Sequence, residues 1–221
     1  MRNQELVTTD DILHTLCDSV VGVLSAASKN DVRYSGMVQR IQKTGLKPDI
    51  GCFVLFDGAF SGLVVINFSA AAALELYQGF MRQMGIPEEE IATLHTSDDV
   101  ANVLGELMNQ MLGHFTGIIS RELQTNINQS QPKMLAISQK VMVSLDTNLN
   151  EPQMRRVSFM TRNNNIFYLE LAMDKTEFFK IKEADVVEEI DPDALIATYK
   201  EKAANTTAAH VPNDLLDELG L

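Results

Sequence analysis

The sequence predicts an α+β domain: a mostly antiparallel sheet with two or three long helices packed on it. Three observations lead there. Apolar residues recur at helical spacing over three long segments, residues 11–28, 69–85 and 96–122. Short apolar runs between and after these segments read as strands, and hairpin turns join them in place of regular crossovers. No repeat of roughly 20 to 50 residues organises the chain.

Taken in order, Thr9, Asp10 and Asp11 offer capping groups before Ile12, Leu13, Leu16, Val20, Val23 and Leu24, which share one helical face. A strand is expected near Arg33 to Gln42. The runs Cys52–Phe56 and Leu63–Phe68 flank a turn at Asp57-Gly58 and Gly62, which reads as an antiparallel hairpin. Ser69 opens a second helix through Ala70, Ala71, Ala72 and Ala73, the best helix formers, and Gly85-Ile86-Pro87 stops it. An acidic linker, Glu88-Glu89-Glu90, follows.

The third helix is the longest periodic segment. It starts at Thr96-Ser97-Asp98-Asp99 and runs to about Glu122, with acids in its first turn to meet the helix dipole. Beyond Pro132, the runs Val141–Leu145, Arg156–Thr161 and Phe167–Ala172 read as strands, and Asn163-Asn164-Asn165 is the turn of the last hairpin.

A chain of 221 residues with 45% hydrophobic content can bury one good core plus appendages. The net charge of −12 argues against a nucleic-acid or anionic-membrane surface, since either would need a basic face. The excess is uneven: Asp174 to Leu221 carries 12 acids against 5 bases. No window reaches the roughly 18 apolar residues of a membrane helix, and the first residues lack a signal-peptide pattern, so the expected location is the cytoplasm. Cys17 and Cys52 have no partner at metal-binding or disulfide-framework spacing and are expected to be buried thiols.

The expected organisation is one domain over residues 1–182 and an acidic C-terminal extension over 183–221. Within the extension, about Pro192 to Lys202 reads as a short helix, and Ala203 to His210 as a small polar linker. Residues 211–221 close the chain.

On a wheel with Val100 at zero and about 100° per residue, Val103, Leu104, Leu107, Met111, Phe115 and Ile118 fall within about 60° of zero. That stripe is the expected core face. Asn102, Glu106, Asn109 and Gly113 lie between about 180° and 240°, so one carboxylate and two amides form an outward row. Polar residues on an outward face are what amphipathic helices ordinarily carry. Gly105 and Gly113 border the row, however, and each costs a helix about 1 kcal/mol relative to Ala. A partner approaching closely would account for them.

The arrangement resembles the CheC, CheX and FliY family of chemotaxis phosphatases. That family's motif is Asp or Ser, three residues, Glu, two residues, Asn, then 22 residues and Pro. Here Glu106-Leu107-Met108-Asn109 is followed after 22 residues by Pro132, while Asn102 stands where the family has Asp or Ser. The order of elements over roughly residues 10 to 173 also fits. The first helix carries no Glu and no matching Asn, and a single site makes the chain look most like CheX, which in that family works as a homodimer.

The resemblance implies a CheX-like fold, with residues 1–182 as the phosphatase domain. It implies hydrolysis of the aspartyl phosphate on a CheY-like response regulator, with Mg2+ held by the regulator and no cofactor of the chain's own. Asn109 would orient the attacking water, Glu106 would pair with the regulator's active-site lysine, and Asn102 would stand at the rim. All three are expected to be exposed. Residues 213–221 further resemble the docking peptide of the unrelated phosphatase CheZ, with Leu215, Leu216 and Leu219 on one side of a short helix.

Other chemistries find little support. His14, His95, His114 and His210 never pair at ligand spacing, so no metal site is expected, and His114 reads as a partly buried structural histidine bordering the row. Neither a Walker loop nor G-x-G-x-x-G occurs. Two rival readings stay open. One is a non-catalytic CheX-like interaction or dimerisation module that binds a response regulator or flagellar switch protein. The other is a scaffold component that uses the fold for assembly.

Overall fold

Thr8 begins the first helix: its hydroxyl accepts from Asp11 N–H, and the Asp11 carboxylate accepts from Thr8 N–H at 2.8 Å. This capping box lies one residue before the caps expected at Thr9 to Asp11, and Thr9 is instead buried in the first turn. In a computed structural model that describes residues 6–179, the helix α1 spans Thr9–Ser28 after a two-residue strand β1, Leu6–Val7. There follow β2 (Arg33–Arg40), β3 (Thr44–Leu46), β4 (Ile50–Gly58) and β5 (Gly62–Phe68). Next come α2 (Ala70–Gln83), a 3-10 turn at Glu88–Glu90 and α3 (Asp98–Glu122). The described part closes with β6 (Ile127–Gln129), β7 (Lys133–Ala136), β8 (Val143–Leu145), β9 (Gln153–Met160), β10 (Ile166–Met173) and β11 (Phe178–Phe179).

Local chemistry places the later helices as well. Ser69 caps α2 through Ala72 N–H, and Asp49 accepts from Ala70 N–H at 2.7 Å. Gly85 supplies the left-handed φ of 77° just past the end of α2. Ser97 caps α3 through Val100 N–H.

The main sheet is antiparallel throughout and runs in the order β2-β9-β10-β5-β4, with β6 and β7 both pairing along the far edge of β4. Even-numbered residues of β4 and β5, such as Cys52, Val54, Val64 and Ile66, turn one face toward all three helices and form the large core. Leu63, Val65 and Ala172 turn the other way, into a smaller core with Leu46 and Ile137. That second cover explains why Gly62–Phe68 is buried at every position: a strand clad on both faces reads as an unbroken apolar run.

The run expected as a strand at Val141–Leu145 is shorter, Val143–Leu145, and it joins β3 in a separate two-stranded ribbon. The ribbon is pinned to the sheet by Glu170, which is fully buried. Its carboxylate accepts from Lys47 Nζ at 2.6 Å, from Arg156 at 2.7 and 2.9 Å, and from Gly45 N–H at 3.1 Å. A buried carboxylate persists only when its lone pairs are met in this way.

Candidate functional site

α3 packs on the sheet and on α1 through Val100, Leu104, Leu107, Met108, Met111, Leu112, Phe115 and Ile119, all buried. The face is rotated from the expected stripe. Val103 and Ile118 are half-buried, whereas Met108, Leu112 and Ile119 on the adjoining flank are buried. The rotation leaves Asn102 and Glu106 exposed but brings Asn109 to half-burial. Full exposure of Asn109 is thus corrected: it borders the chain returning beside α3.

That return is set by two rise rates. From Asn109 the helix descends 13 residues to Glu122, about 20 Å at 1.5 Å each. After a short turn, the extended chain from Asn126 climbs six residues to Pro132, again about 20 Å. Pro132 therefore comes back level with Asn109.

The two meet in a shallow cavity of about 420 Å³ lined by Asn102, Glu106, Asn109, Gln131, Pro132 and Met134, with Gly105 in its wall. Proline fixes its own φ and holds Gln131 extended, which stiffens this wall. The Glu106 carboxylate accepts a bond from the Gln110 amide at 3.1 Å. Among the described residues nothing bonds the side chains of Asn102 or Asn109, so both amides are available to a visitor. A Cβ on Gly105 would lie 3.7 Å from Met134 Cγ, and one on Gly113 would meet nothing within 4 Å. Nothing among the described residues requires either glycine.

Two residues at this site were missed in the sequence. Gln110 follows Glu106 at i+4, a spacing that could have shown it. Gln131 had no signal beyond its place before Pro132. His114 is exposed, not partly buried, with Nδ1 3.0 Å from Ser19 Oγ on α1. Leu215, Leu216 and Leu219 lie outside the described residues.

Cys17 and Cys52 are buried as expected, and desolvation pushes both thiols up to about 12, with Asp18 adding to the rise at Cys17. Neither is a nucleophile at neutral pH. Among the described residues, no group of three His, Cys, Asp or Glu side chains could hold a metal ion, and no helix is long and apolar enough to cross a membrane.

This architecture is that of a CheX-like α+β protein. A chemotaxis protein from Desulfovibrio vulgaris Hildenborough superposes with a TM-score of 0.61 at 18% identity, over 76% of this chain and 99% of that one. The chemotaxis protein CheX from Desulfovibrio desulfuricans does so at 0.59 and 16%, over 74% and 99%. A complex of CheX with CheY, BeF3 and Mg2+ from Borrelia burgdorferi gives 0.57 and 15%, over 75% and 99%. At these identities the likeness shows the fold. No curated protein matches the sequence. A family model described as a protein of unknown function, DUF3334, matches residues 3–221, and the chain belongs to that family.

Proposed function

We propose that this chain hydrolyses the aspartyl phosphate of a CheY-like response regulator. The observation that carries the reading is the single cavity that gathers Glu106 and Asn109 from α3 with Pro132 from the returning chain. Asn109 enters the regulator's site and orients a water for in-line attack on phosphorus. The P–O bond to the regulator's aspartate breaks, leaving free carboxylate and inorganic phosphate. This is positioning catalysis and needs no titrating group on the phosphatase. Glu106 pairs with a lysine of the regulator and fixes the two proteins in register. The divalent cation belongs to the regulator, and the reaction runs in the cytoplasm where regulators work.

The known CheX–CheY complex among the fold's relatives supports a regulator as partner. The reading includes a homodimer. Support comes from β2, which pairs only with β9 among the described residues and carries Met37 at 78% exposure; an unpaired edge of this kind invites a second strand. Light scattering of the purified chain tests that part.

Asn102, in place of Asp or Ser, favours one other reading: a non-catalytic module that still binds the regulator. The discriminating experiment follows decay of a phosphorylated regulator from the same cell, with and without the chain and its Asn109→Ala variant. Acceleration that Asn109→Ala removes upholds the phosphatase. Binding without acceleration upholds the module.

A further inference from the structure

Gln131 shares the cavity of Asn109, and the backbone around it departs from a regular strand to put it there. Ser130 is paired with Leu55: its N–H donates to the Leu55 carbonyl at 2.8 Å, and its Oγ accepts from Leu55 N–H at 3.1 Å. Lys133 resumes the pairing opposite Phe53. From Phe56 to Phe53, β4 takes three steps, whereas the returning chain takes four between their partners, Gln129 and Lys133. The extra residue makes a β-bulge, which falls at Gln131 and Pro132, opposite Val54. A regular strand turns adjacent side chains to opposite faces, yet Gln131 and Pro132 both line this one cavity. Re-aiming a side chain is what a bulge does.

The re-aimed amide is pinned at its backbone and unused at its tip. Ser130 anchors the chain on one side, and Pro132 fixes it on the other. The Gln131 side chain is exposed and bonds to nothing among the described residues; Ser130 Oγ reaches only its carbonyl, at 3.5 Å. The cavity lining holds no lysine, arginine or histidine, so its side-chain donors are the amides of Asn102, Asn109 and Gln131.

We propose that Gln131 donates through Nε2 to an oxygen of the regulator's phosphoryl group. The inference rests on the reading that a phosphorylated regulator docks at this cavity. Asn109 holds the water from the helix wall, and Gln131, on the wall formed by the returning chain, meets the negative charge on the phosphoryl oxygens, where a fixed donor counts for most. No bond forms or breaks at Gln131 itself. An apolar side chain in its place leaves the phosphoryl group one donor short, and a carboxylate repels it.

The test measures the affinity of the full chain for a CheY-like regulator from the same cell in two forms, unmodified and carrying BeF3 with Mg2+ in place of the phosphoryl group, alongside decay of the phosphorylated form. The variants are Gln131→Leu and Gln131→Glu, each checked for unchanged thermal unfolding. Gln131→Leu should bind the BeF3 form about tenfold more weakly, and Gln131→Glu more weakly still. Neither should change affinity for the unmodified regulator, and kcat/KM should fall with the affinity. Equal losses on both forms overturn the proposal by reducing Gln131 to a docking contact. Unchanged affinities, or a Gln131→Glu variant equal to the parent, overturn it too. Failure of the phosphatase reading looks different: the parent prefers the BeF3 form without accelerating decay, and the affinity comparison still decides the role of Gln131. A parent that does not distinguish the two forms overturns the proposal as well.

Discussion

Gln110 donates its side-chain amide to Glu106 Oε1 at 3.1 Å, one turn further along the same face of α3. A hydrogen bond from an amide to an exposed carboxylate contributes on the order of 1 kcal/mol net, enough to bias one rotamer of that carboxylate. Gln110→Ala should therefore raise KM for the phosphorylated regulator about fivefold with kcat unchanged. Steady-state phosphate release over a range of regulator concentrations separates the two constants, and an effect on kcat alone would contradict this positioning role.

On the proposed reading, Asn109 and Glu106 have different roles. Asn109→Ala should lower kcat by about 100-fold, the scale of a lost alignment, and leave regulator binding nearly intact. Glu106→Ala should weaken binding as well as turnover. Neither side chain contributes to the core, so circular dichroism melts of both variants should overlay the parent's; a large fall in Tm would reassign either residue to structure.

Glu170 is the costliest charged group to disturb. It is fully buried and joins Arg156, Lys47 and the β3 backbone. Glu170→Ala strands two basic groups that are themselves mostly covered, and should lower unfolding stability by about 3 kcal/mol. Urea denaturation reads this directly, and a loss near zero would mean the ribbon is held by packing alone.

The thiols offer a simple probe of packing. With both pushed up to about 12 by burial, Cys17 and Cys52 should resist a disulfide reagent at pH 8 in the native protein and react together in denaturant. Rapid native labelling of either would place it outside the core.

Glu75 links α2 to the last hairpin turn. Burial pushes its carboxyl up, but bonds from Asn30, Thr161, Asn165 and the Asn163 backbone outweigh that and hold it below its ordinary 4.5. A carboxyl depressed by folding contributes stability in full above its unfolded pKa and loses it as pH falls through the folded value. The stability gap between parent and Glu75→Gln should therefore shrink as pH drops below 4.5. A gap that is flat with pH would show that the bonds do not depend on the charge.

Legibility in the sequence followed segment length and polarity. α1, α2 and α3 were readable because each repeats its period over many residues, and both main hairpins because apolar runs flank turn residues. β6, Ile-Asn-Gln, and β7, Lys-Met-Leu-Ala, are too short to announce themselves, and they exist because β4 offers them an edge. Without them, the meeting of Pro132 with Asn109 could be stated only through resemblance. Glu106 and Asn109 were legible as an outward row. The cavity they share was not, since its second wall comes from those two strands. The partial burial of Asn109 was hidden for a related reason: a wheel drawn on one helix cannot show how the chain returning through Gln131 and Pro132 widens the covered face.

The interval between Asn109 and Pro132 works as a ruler with unequal arms. An extra turn added to α3 below Asn109 lengthens one arm by about 5.4 Å, and fewer than two extra strand residues restore the level. A homologue with a longer helix could keep the cavity while changing the count, and a search by count would overlook it. Another could keep the count, shift one residue from helix to strand, and lose the alignment.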